Sequence, residues 1–176
     1  MNGVKFWHQE FNFPATTTPE WSAKVERWYQ LDAAAFALTE LFWRERENLR
    51  TRPAWMVLAS PLASNATDSQ FAALATPSPA KFVHTLPNIR AASLLQVMDW
   101  SGPVLCLQND PETLKTGLLE AAELAAEEAA DVWVLSVANK AERVRASIYV
   151  VSPEAQYNFI AGGHEIWNAL RLEENS

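Results

Sequence analysis

Residues 104–138, "VLCLQNDPETLKTGLLEAAELAAEEAADVWVLSVA", constrain the fold of this chain more than any other stretch. A short apolar run is followed by a long helical pattern and then by a second apolar run. Leu114, Leu118, Ala121, Ala122, Ala125 and Ala129 recur at helical spacing on one face, with Thr116, Glu120, Glu123 and Glu127 opposite. Alanines on the inner face let neighbouring elements approach closely, as for a helix packed inside a layered fold. Asn109 or Asp110 can cap this helix, and Pro111 suits its first position. The flanking runs, Val104 to Leu107 and Asp131 to Ala138, read as buried strands.

The rest of the chain supplies the other layers. Val4 to His8 alternates weakly, as a strand does, and Thr18 before Pro19 and Glu20 predicts a short helix to about Tyr29. From Leu31 to about Glu47 the spacing of Ala34, Leu38, Leu41 and Phe42 predicts a longer helix. "AWMVLASPL" reads as a strand. "TDSQFAALA" reads as a short helix capped by Thr67 or Asp68, and "LPNIRAASLLQVMDW" as a helix ended by Gly102-Pro103. "VRASIYVVS" predicts a strand antiparallel to the one before it, and His164 to Leu172 a final helix after the Gly162-Gly163 break. Alternating helices and short apolar strands make the class α/β, layered, with a mixed sheet and a buried Ala-rich helix. The 176 residues are read as a single domain, with a core over about 19–152 and a C-terminal extension over 153–176.

Composition narrows the function classes. A net charge of -7 and scattered basic residues argue against a nucleic-acid surface. Arg44, Arg46, Arg50 and Arg52 alternate with Glu45 and Glu47, as in a solvated helix end rather than an anion patch. One cysteine makes neither an internal disulfide nor a structural zinc site, so a reducing cytoplasm is expected. No segment offers about 18 uninterrupted apolar residues, and "MNGVKFWHQEF" has no leader pattern, so a soluble, unprocessed protein is expected. The eight tryptophans are dispersed without a period, as core and interface filling. Phosphate-loop, dinucleotide and Gly-x-Ser-x-Gly patterns are missing, and the glutamates of the Ala-rich helix have no histidine partners to make a metal site. Ser60, His84 and Asp68 form a triad only on paper. No cofactor is expected.

Three stretches in order resemble the N-terminal half of β-ketoacyl synthases, which have a thiolase-like fold. "SPAKFVHTLPNIRAASLLQVMDW" resembles the family's segment in which an asparagine precedes a small-residue helix. "SGPVLCLQNDPETLKTGLLEAAELA" resembles its Gly-Pro, strand, nucleophile turn and buried helix, and "AADVWVLSVA" the strand that follows. The resemblance runs from Pro19 to about Ala138, and the earlier "PEWSAKVERWYQLDAAAFALTEL" is similar to the helical region before the first core strand. It implies a thiolase-like half-fold. Setting Gly102-Pro103 on the family's Gly-Pro places the acyl-accepting cysteine near Pro111, not at Cys106. The turn Gln108, Asn109, Asp110 and Pro111 then reads as a degenerate nucleophile turn.

Elementary chemistry points the same way. Thiolates are favoured at helix N-termini and disfavoured in apolar strands, so Cys106, sharing a strand face with Val104 and Gln108, is read as a packing residue. His8, His84 and His164 match none of the family's histidine motifs, which lie in a C-terminal half that this chain is read as lacking. His84 and Asn88 fall where the resemblance implies the acyl channel. It also implies that Val104, Leu105, Cys106 and Leu107 form the strand that pairs across a twofold axis. The expected function is a non-catalytic synthase-like protein that dimerises or docks on a ketoacyl synthase in fatty acid or polyketide biosynthesis. An acyl carrier protein is a further candidate partner. The alternatives are an acyl-thioester or carrier-protein processing enzyme using His84 as base, and a non-reactive acyl-binding module.

Overall fold

The computed structural model describes residues 3–60, 65–76, 86–108, 112–140 and 143–155. Five strands form one sheet: β1 (Val4–Asn12), β2 (Trp55–Ala59), β3 (Val104–Leu107), β4 (Val132–Lys140) and β5 (Arg143–Val151), in the order β1-β5-β4-β2-β3. β2 lies parallel to both β3 and β4, whereas β5 runs antiparallel to β4 and β1. Among the described residues the α-helices are α1 (Ala33–Glu45), α2 (Asn65–Ala72), α3 (Ile89–Met98) and α4 (Thr113–Glu128).

The two-residue period of the strands sorts side chains into two cores. Met56, Leu58, Trp133 and Leu135 face α1 and α3, with Trp21 filling the gap beside Phe36. Val57, Ala59, Val132 and Val134 face α4. β2 and β4, buried on both faces, therefore read in sequence as continuous apolar runs. α1 and α3 are joined by a buried hydroxyl pair, Thr39 and Ser93, 2.7 Å apart. α4 meets the sheet through Ala121, Ala122, Ala125 and Gly117, and a Cβ on Gly117 would sit 3.1 Å from that of Ala59. The small residues thus set the distance between helix and sheet.

Several boundaries differ from those expected. Pro19 to Tyr29 is not an α-helix but two 3-10 turns, Glu20–Lys24 and Trp28–Gln30, and Thr18 caps neither. Val25 between them is extended at φ -128 and ψ 91, because both it and Trp21 are buried and one continuous helix gives way to that double anchorage. α2 begins at Asn65, so Thr67 and Asp68 lie inside its first turn rather than capping it. α4 begins at Thr113 after Glu112, with no side-chain cap, so it starts later than the expected Pro111. Ala129 is not on the helix face: it closes α4 in the left-handed region at φ 51 and is exposed. β1 runs four residues past His8 because all nine of its positions pair with β5. The sheet therefore takes in residues upstream of the expected 19–152 core. The helix expected over His164 to Leu172 lies outside the described residues.

Candidate functional site

β3 is an edge of the sheet, and its limits follow from its sequence. α3 ends at Asp99, which is left-handed at φ 51, and the chain then turns through Trp100. The Trp100 indole N–H donates to the Pro53 carbonyl at 3.1 Å, and its ring lies across Gly102. A Cβ at Gly102 would fall 2.1 Å from a ring carbon of Trp100. Glycine is required there because the indole occupies the space, and this contact fixes where β3 starts.

Backbone pairing then decides what the edge offers. The Pro103 carbonyl accepts the Met56 N–H at 3.1 Å, and the Leu107 carbonyl accepts the Ser60 N–H at 3.2 Å. With a period of two, Leu105 also turns its backbone groups to β2, while Val104 and Cys106 turn theirs to the side on which no described strand pairs. Side chains alternate as well: Val104 and Cys106 pack against the α1 and α3 layer, and Leu105 and Leu107 against the α4 layer. All four are half-buried. Such an edge is a template for a further strand.

Cys106 is a free, half-buried thiol, and burial pushes its pKa up from the ordinary value. A raised pKa keeps it protonated near neutral pH, the opposite of what a nucleophile needs. Gln108 is exposed just beyond β3. Asn109, Asp110, Pro111 and His84 lie outside the described residues. Asn88 is exposed at the start of α3 and makes no side-chain cap.

At the C-terminal end of β2 the structure holds a polar group that sequence reasoning missed. Arg90 of α3, with only 8% of its side chain exposed, donates from Nε to Asp32 at 3.2 Å and from Nη1 to the Ser60 hydroxyl at 2.9 Å. The other oxygen of Asp32 accepts the Ala35 N–H at 2.7 Å and so caps α1. The Ser60 hydroxyl accepts from the Arg90 guanidinium, and Asp68 sits on α2. The N-cap was signalled by an aspartate before an alanine run, but the Arg90 pairing, 58 residues away, had no local signal.

The outer face of α4 exposes Glu120, Glu123 and Glu127 around Leu119. Among the described residues no cluster of three His, Cys, Asp or Glu side chains could hold a metal ion. No helix there is long and apolar enough to cross a membrane.

No protein-family model and no curated protein matches this chain. Among solved structures, it is similar to a chain in the complex of the ketosynthase ApeO with its chain length factor ApeC from Xenorhabdus doucetiae. The TM-score is 0.63 at 12% sequence identity, over 85% of this chain and 79% of that one. The two coverages are nearly equal, so the two chains are similar in length. At this identity the likeness is one of fold. The mixed five-stranded sheet, with α1 and α3 on one face and the Ala-rich α4 on the other, is a ketosynthase-like, thiolase-type fold.

Proposed function

We propose that this protein is a non-catalytic ketosynthase-like subunit, whose residues 1–176 form one domain that pairs through β3 with a catalytic ketosynthase. It would act in the cytoplasm, in the assembly of fatty acid or polyketide chains, with an acyl carrier protein as a further partner. The observation that carries this reading is the β3 edge, which no other described strand pairs, with apolar side chains on both faces and the backbone groups of Val104 and Cys106 directed away from β2. Two other observations support it. The fold is shared with a chain of a ketosynthase and chain length factor complex, and the Cys106 thiol, half-buried in β3, has its pKa pushed up by burial. The α4 face is a poorer candidate for self-association, because identical glutamate stripes would be brought together.

Co-expression with a catalytic ketosynthase, followed by size-exclusion chromatography with light scattering, tests the pairing. A one-to-one complex is expected. Cys106→Pro should abolish it while leaving the fold intact, since it removes an outward-facing N–H and edge positions tolerate proline. A chain that stays monomeric with the synthase present, or a Cys106→Pro variant that still pairs, defeats the proposal. A homodimer lost in the same variant would replace the synthase with a second copy as the occupant. Thioester turnover by the protein alone, lost in His84→Ala, would favour the enzymatic alternative.

A further inference from the structure

A cleft of about 150 Å³ lies between the end of β1, the loop that follows it and α1, separate from the β3 edge. Phe11 and Phe36, each 6% exposed, line it with Ala15. Arg44 spans one side, its guanidinium carbon 5.1 Å from the Phe11 ring centroid and its Nε donating to Glu40 at 2.8 Å. The other oxygen of Glu40 accepts the Trp21 indole N–H at 2.7 Å. Both carboxylate oxygens of Glu40 are therefore engaged by protein donors. The two terminal nitrogens of Arg44 have no acceptor among the described residues, and its side chain is 48% exposed. On the rim, Thr16 and Thr17 are exposed, and their hydroxyls make no hydrogen bond to a described residue.

We infer that this cleft binds a small carboxylate with a compact apolar body about the size of a phenyl ring. The terminal nitrogens of Arg44 form a planar fork that matches a carboxylate, and the threonine hydroxyls add donors beside it. The exposed edges of Phe11 and Phe36, with Ala15, line the space for the apolar body, and its volume is that of a closed cavity able to hold benzene. Inorganic phosphate fits less well, since it gains nothing from this lining and brings more negative charge toward Glu40. A neutral amide of the same shape keeps the apolar contact and loses the charge-assisted pair. This inference does not depend on the pairing proposed above.

The test is a titration of the ¹⁵N-labelled full chain with sodium benzoate, benzamide and inorganic phosphate, following the Trp21 indole N–H and the Thr16 and Thr17 amides. Benzoate should give saturable shifts with a Kd of about 1 mM, the range open to so few heavy atoms. Benzamide and phosphate should bind at least about tenfold more weakly, and Arg44→Gln should lose the benzoate shifts. If Arg44→Gln does not fold, the paired exposed substitutions Thr16→Ala and Thr17→Ala replace it, with an expected weakening of about threefold or more. No saturable shift by about 20 mM benzoate overturns the inference. So does benzamide or phosphate binding as tightly as benzoate, or affinity unchanged in the variants.

Discussion

Two residues of the β3 edge show how single atoms decide its properties. At Gly102 the absent Cβ makes room for the Trp100 ring. Gly102→Ala forces the indole away from the Pro53 carbonyl, and the expected cost is about 1–3 kcal/mol, read as a lower urea midpoint. At Cys106 the consequence is a pH dependence. Its folded-state pKa is raised by burial, so the thiol contributes stability that is fully present below the ordinary thiol pKa. That contribution is lost as pH rises from there through the folded-state value. Alkylation by iodoacetamide in the native protein should therefore be slower than in the urea-unfolded chain, and its rate should begin to rise at higher pH. Equal rates and equal pH profiles in the two states would mean that Cys106 is not shielded.

Among the elements, α1 depends most on a single side chain. Asp32 caps its N-terminus and pairs with Arg90 of α3, which also holds Ser60 at the end of β2. Asp32→Ala removes the cap and strands a buried guanidinium, at an expected cost of about 3–5 kcal/mol. Asp32→Asn can keep the cap and loses only the charge, so about 1–3 kcal/mol is expected, and urea unfolding of the two variants separates these contributions. How much was legible in sequence differed by element for physical reasons. β3 matched its reading because Gly102-Pro103 and Gln108 punctuate a short apolar run, and β4 with β5 because a continuous apolar run and an alternating one flank a polar stretch. β1 was read short because Gln9 and Glu10 break its apolar pattern, while the partner that holds them in register is more than 130 residues away. The Arg90 ion pair escaped for the same reason: charges brought together only by tertiary packing leave no mark on local periodicity. Of the candidate site, the strand and its neutral thiol were legible, whereas the role of Gly102 came from a ring whose position sequence does not disclose.

At the scale of the whole molecule, the two faces of the sheet differ in what covers them. α1 and α3 close one side, while α4 presents glutamates to solvent on the other. If the partner adds to the β3 edge, neutralising this stripe should matter little. The combined Glu120→Gln, Glu123→Gln and Glu127→Gln variant is expected to keep its fold and pair with the synthase within about twofold of the unaltered chain, measured by analytical ultracentrifugation. A loss of more than about tenfold would move the interface to α4. The sheet order also bears on synthesis. β1 leaves the ribosome first, yet its neighbour in the sheet is β5, and the nearest paired residues, Asn12 and Arg143, are 131 positions apart. At 5–20 residues per second, β1 waits roughly 7–26 s for that neighbour, with Trp7 and Phe11 exposed on an unpaired nine-residue strand. The nascent chain is therefore a stage at which this fold is open to aggregation.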